Sequence, residues 1–181
     1  MADIQGVQER ILISIVSPDE VGLIAAITGE LFDLGLNLED ASFAVLGSGC
    51  EFSCVASLGA DMTLAEVEEA LDALEPLESA EIKVSPLPFS PAHEETAEIT
   101  HVVEVEGGDM PGLIARMSEV FSEYGANVVR MNSRLRKGEG GVNCYLTTFA
   151  VFMPEGRAET CLAAAHNTAG QLNLDFRSQS V

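Results

Sequence analysis

Two short stretches of the chain carry residue types that could hold a small charged ligand. "DEVGLIAAI" spans residues 19–27 and "DMPGLIARM" spans 109–117, with Asp, Gly, Leu, Ile and Ala identical at five matched positions. Each lies where a strand-like alternation gives way to a helical pattern. A helix N-terminus offers unpaired N–H groups and a positive dipole end, and a carboxylate can sit there. Gly22 or Gly112 would let a ligand approach the backbone closely. Asp19 or Asp109 could meet an ammonium group. Asn37 or Asn127, at the start of the next strand, adds a donor and an acceptor. The same residues also have a plain structural reading. Asp is a favoured helix cap, and "SPDE" from Ser17 matches a capping box with Pro18 at the first helical position. The glycines would then serve tight helix–sheet packing, and the asparagines a turn.

The elements that must position these residues occur twice. Shifting the chain by 90 brings Gly35 onto Gly125, Asn37 onto Asn127 and Cys54 onto Cys144. "ILISIV" (11–16) and "HVVEVE" (101–106) alternate as strands. Ile24, Ile27, Leu31 and Leu34 then step along one helical face, matched by Ile114, Met117, Phe121 and Tyr124. Gly35 and Gly125 are stop signals. Two hairpins follow: 36–46 and 50–58 around "GSG" (47–49), and 126–136 and 142–152 around "KGEGG" (137–141). "TLAE" (63–66) is a capping box that opens a second helix with Val67, Ala70, Leu71 and Leu74 inward. Its counterpart buries Ala158, Cys161, Leu162, Ala165, Ala169 and Leu172. Short last strands fall near 80–85 and 174–179. The order βαββαβ, repeated, predicts an α+β chain of two ferredoxin-like domains in tandem, each an antiparallel sheet with its helices on one face. The expected boundaries are 8–86 and 97–181, joined by a proline-rich linker at 87–96.

The remaining residues narrow the function classes. The chain has 181 residues, with 29 Asp and Glu against 9 Lys and Arg, a formal net charge of −20. Such a surface repels phosphate backbones and anionic membranes, so no direct nucleic-acid or membrane partner is expected. No stretch is a membrane-span candidate, and the N-terminus lacks a secretory pattern, so a cytoplasmic chain is the expectation. Four cysteines stand in apolar or strand-like settings, and Cys50 and Cys54 are too far apart along one strand for a disulfide. His93, His101 and His166 have no metal-ligand spacing, and no triad or nucleotide loop appears. The expectation is a non-enzyme with no cofactor. Arg130, Arg134 and Arg136 fall at even spacing with Asn132, on one strand face. They suit contact with acidic residues of another copy or another protein, with Asp40 a candidate partner, or else a solvated face.

The pattern D-x-x-G-L at a strand-to-helix turn, followed by G-x-N at the helix end in a βαββαβ unit, resembles the ACT domain. Two such units with almost nothing else are similar to the glycine cleavage system transcriptional repressor family, and "NLEDASFAVLG" (37–47) is particularly like its first domain. The resemblance implies binding of an amino acid or similar small effector at the turn, often at an interface between domains. The implied ligand-binding residues are Asp19, Glu20, Val21, Gly22, Leu23 and Asn37 in the first copy. In the second they are Asp109, Met110, Pro111, Gly112, Leu113 and Asn127. The expected role is regulation through a partner protein, with any control of transcription indirect because the chain is acidic and has no helix-turn-helix pattern, and a homodimer is the expected assembly. ACT domains usually carry proline before the glycine: the second copy keeps it as Pro111, whereas the first has Val21. The alternative is a ligand-free interaction module.

Overall fold

The computed structural model describes residues 9–137 and 143–181. The chain divides into two compact units between Pro91 and Ala92. The first contains β1 (Glu9–Pro18), α1 (Leu23–Asp33), β2 (Asn37–Leu46), β3 (Gly49–Leu58), α2 (Leu64–Asp72) and β4 (Glu81–Pro86). The second contains β5 (His101–Gly107), α3 (Leu113–Glu123), β6 (Asn127–Lys137), β7 (Asn143–Phe152), α4 (Ala158–Gln171) and β8 (Asp175–Ser180). Both sheets are antiparallel, with strand orders β2-β3-β1-β4 and β6-β7-β5-β8. The first and third strands are central, as split βαβ units require.

Each unit has its own core, on the face that the helices cover. In the first, Ile11, Ile13 and Ile15 alternate inward from β1 and meet Leu23, Ile27 and Leu31 of α1 and Val67 and Leu71 of α2. In the second, Val103 and Val105 meet Leu113, Met117 and Phe121 of α3 and Cys161, Ala165 and Ala169 of α4. Phe121 and Phe149 stack edge to face, 5.4 Å apart, a favoured geometry for aromatic pairs. The expected capping box is present: Thr63 accepts from the Glu66 N–H, and its own N–H donates to the Glu66 carboxylate. The turn expected at 137–141 lies outside the described residues apart from Lys137.

Three expectations need correction. The inward stripe of α3 does not begin at Ile114, which is 42% exposed; Leu113 takes that place. In α1 likewise Leu23 is buried and Ile24 only half-buried, so the core-facing stripe starts one residue earlier than the spacing suggested. The segment expected as linker ends in structure, because Glu95–Ala97 form a 3-10 turn whose Thr96 carbonyl accepts from the Asn127 side chain.

The third correction concerns the repeat. Cys54 pairs across the sheet with Ile13, and Phe149 pairs with Val103. Ile13 and Val103 are 90 apart, but Cys54 and Phe149 are 95 apart. The second hairpin is therefore five residues longer, and Cys54 corresponds to Phe149 rather than Cys144. Cys144 faces the opposite side of the sheet, where its thiol lies 3.7 Å from a Glu106 carboxylate oxygen. All four cysteines are free thiols, and burial pushes the Cys54 thiol up to about 12 and raises Cys161 as well.

Candidate functional site

The two repeated stretches form the corners where β1 meets α1 and β5 meets α3. The "SPDE" run is not a capping box. Ser17 and Pro18 end β1, with the Ser17 hydroxyl donating to the Pro18 carbonyl, and the helix begins four residues beyond Asp19. The helix N-caps are Gly22 (φ 95) and Gly112 (φ 85), and neither helix has a side-chain cap. A Cβ built on either glycine would meet no atom within 4 Å. Tight packing is therefore not their role. The left-handed backbone demands glycine, and it leaves the first N–H groups of each helix without a side-chain acceptor.

At the second corner these features open onto a cavity of about 280 Å³. Of the sequence-derived candidates, Asp109, Met110, Gly112 and Leu113 line it. Ile114 and Ala115, whose N–H groups have no intrahelical acceptor, also line it, as does Gly108. Pro111 is exposed and is not among the lining residues. Asn127 is not brought to the cavity either: its side-chain amide donates to the Thr96 carbonyl at 2.9 Å. The Leu113 side chain is 7% exposed and belongs to the core, so only its edge reaches the cavity.

At the first corner Asp19, Glu20, Val21 and Gly22 are exposed, Val21 completely, while Leu23 is buried at 2% and unavailable to a ligand. The Asp19 N–H donates to the Ser48 carbonyl, which ties the corner to the β2–β3 turn. Asn37 is exposed at the start of β2.

The floor of this second-unit cavity comes from residues that sequence reasoning missed: Ser133, Tyr145 and Thr147. They lie on the helix-covered face of β6 and β7. Ser133 pairs with Thr147, and Leu135 with Tyr145. The Ser133 and Thr147 hydroxyls stand 2.8 Å apart, and Thr147 is 1% exposed. A signal was present in the odd-numbered residues of β6, which alternate with the arginines. The 90-residue shift obscured it by aligning β7 with the wrong partners in β3.

The arginines occupy the other sheet face. Arg130, Asn132, Arg134 and Arg136 pair in register with Ala150, Thr148, Leu146 and Cys144. A bulge between Val128 and Arg130 sets this phase, so Val128 packs against the core while Arg130 faces away. Among the described residues no carboxylate forms an ion pair with Arg130, Arg134 or Arg136. In the first unit a matching bulge separates Leu38 from Asp40, and Leu38 packs against the core. The bulged Glu39 accepts from Ser57 and Arg10, and these bonds, Ser57's above all, hold its carboxyl below the usual value.

Among the described residues no cluster of His, Cys, Asp and Glu is placed to hold a metal ion, and no helix is long and apolar enough to cross a membrane.

Two βαββαβ units in tandem, each with a glycine-capped helix after its first strand, give the chain a duplicated ferredoxin-like fold of two antiparallel sheets. The chain resembles the glycine cleavage system transcriptional repressor of Escherichia coli K12, with 27% identity over 141 residues, 73% of this chain and 68% of that one. No protein-family model matches the chain. Two solved structures share the fold across nearly all of it. An unknown protein from Galdieria sulphuraria has a TM-score of 0.74 and 20% identity, covering 96% of this chain and 99% of its own. A protein provisionally assigned as a glycine cleavage system transcriptional repressor has a TM-score of 0.64 and 13% identity, covering 97% and 99%.

Proposed function

We propose that the chain is a non-enzymatic regulator that binds an amino acid in the corner of its second unit and acts through a partner protein. The observation that carries this reading is the cavity at the start of α3. It joins two opposite requirements at one spot. The Ile114 and Ala115 N–H groups and the helix dipole suit a carboxylate. The Asp109 carboxylate, on the same wall, suits an ammonium group. An amino acid carries both charges two bonds apart.

The likeness to a protein named as a transcriptional repressor of the glycine cleavage system supports a regulatory role in amino-acid metabolism. A net charge of −20 makes direct DNA contact unfavourable, so any control of transcription runs through another protein. Arg130, Arg134 and Arg136 are the surface we assign to that partner or to a second copy in a homodimer. Seven of the nine basic residues lie in the second unit with twelve carboxylates, leaving it at −5; the first unit, with two basic residues and seventeen carboxylates, stands at −15. An acidic surface, including that of the first unit of another copy, complements the arginine row.

Thermal denaturation with each of the twenty amino acids tests the reading. A ligand at 100 times its Kd raises stability by about 2.7 kcal/mol. An unchanged Tm with all twenty would remove the effector and leave the alternative, an interaction module built on the arginine face.

A further inference from the structure

The cavity of the second unit has a polar floor in a place where the fold does not need one. Thr147 is almost fully buried, on a row that runs Ser133, Thr147, Val105, Phe176 across the sheet. Between them two hydroxyls carry two donor protons and four lone pairs. The bond that joins them uses one of each, so one proton and three lone pairs remain, and both residues line the cavity. The equivalent row of the first unit reads Phe43, Phe52, Ile15, Ile82. Ile15 and Val105 are 90 residues apart and anchor the comparison. Phe52 is buried in its core. The same fold thus accepts two phenyl rings at the positions where the second unit has two hydroxyls.

Resting on the amino-acid reading above, we propose that the Ser133–Thr147 pair determines the specificity of the second-unit site. It selects an α-amino acid with a hydrogen-bonding side chain over its apolar isostere. The chain binds one effector, because the first unit has Phe43 and Phe52 at the register positions of the two hydroxyls. With the carboxylate at the Ile114 and Ala115 N–H groups and the ammonium at Asp109, the side chain is what remains to meet the floor. An apolar side chain strips water from the hydroxyls and returns no hydrogen bond; a hydroxyl-bearing one returns it.

Calorimetric titration of the full chain with L-threonine and its isostere L-valine, and with L-serine and L-alanine, tests this. The expected result is one site per chain and at least about tenfold tighter binding of the hydroxyl member of each pair. Thr147→Val keeps the volume and should bring the two members within about threefold, while Thr147→Ser keeps the preference. If Thr147→Val fails to fold, Ser133→Ala on the exposed edge strand carries the same expectation. Two sites per chain, no preference for the hydroxyl member, or a preference that survives in these variants would overturn the proposal and leave the amino-acid reading standing. No heat with any of the twenty amino acids would overturn both.

Discussion

Replacing Gly22 or Gly112 by alanine separates two accounts of why glycine opens both first helices. If the backbone conformation is the cause, each substitution places an L-residue at φ 95 or φ 85. That costs about 1–2 kcal/mol. No steric cost is added, since the new Cβ meets nothing within 4 Å. The loss of chain freedom in the unfolded state returns about 0.4–1 kcal/mol. The net expectation is a destabilisation of about 1 kcal/mol at each site, nearly equal in the two units. For domains of this size that lowers Tm by about 4–8 °C. Urea unfolding followed by circular dichroism measures it. D-alanine at the same position, introduced by semisynthesis, should reverse the sign because left-handed φ is its natural region. Neutral or stabilising L-alanine variants would refute the argument. A cost several times larger at Gly112 alone would do the same, since both glycines have a similar positive φ and room for a Cβ.

Other consequences follow from single contacts. The Glu66 carboxyl is held below its usual value by the Thr63 N–H and hydroxyl. A lowered folded-state value gives stability that is complete above the unfolded-state pKa and is lost as pH falls through the folded one. Glu66→Gln should therefore destabilise the first unit at neutral pH and progressively less in acid, and Thr63→Ala should cost about 1 kcal/mol at neutral pH; urea midpoints across pH 3–7 check both. Alkylation under native conditions should modify half-buried Cys144 before Cys54 and Cys161, whose thiols burial pushes up, with mass spectrometry reading the order. Arg134→Glu, on the exposed arginine face, should leave the urea midpoint within about 0.5 kcal/mol of the parent and weaken self-association or partner capture; unchanged oligomer mass together with unchanged capture would count against the assignment.

The architecture was legible in the sequence because its strongest signals are local. Alternation in "ILISIV" and "HVVEVE", the helical steps to Leu31 and Phe121, and the capping box at Thr63 each follow from short-range geometry. The site was legible only in part. Asp109 and Gly112 announce a corner, but a helix entered through a left-handed glycine imitates a side-chain cap at Ser17 and displaces the inward stripe from Ile114 to Leu113. Asn127 matches Asn37 in sequence, yet its amide is committed to Thr96, a contact made by a residue thirty-one positions away. The floor residues were hidden for a third reason. Two copies that agree at a constant shift through β6 fall out of step by five residues at the hairpin, and strand pairing, not alignment, restores the correspondence.

That restored correspondence shows how the two cores divide their bulk. In the first unit the ring on the central strand is Phe52, in the corner row, and the next row holds Cys54 beside Ile13. In the second unit the corner row holds Thr147, and the ring is one row further on, Phe149 beside Val103 and against Phe121. Phe121 corresponds to Leu31, so the larger helix residue accompanies the displaced ring. The two arrangements differ in which row beneath the helices is left small. A cavity made this way is a vacancy that the first unit shows how to fill. Thr147→Phe should reproduce the first unit's floor. Amino-acid binding should disappear, because the added ring occupies the space and removes the hydroxyl. Stability should fall by no more than the 1–3 kcal/mol typical of overpacking, since the cavity offers about 280 Å³ of room. Calorimetry and urea unfolding of the same sample give the two readings. Retained binding in a well-folded Thr147→Phe chain would show that the ligand sits elsewhere than on this floor.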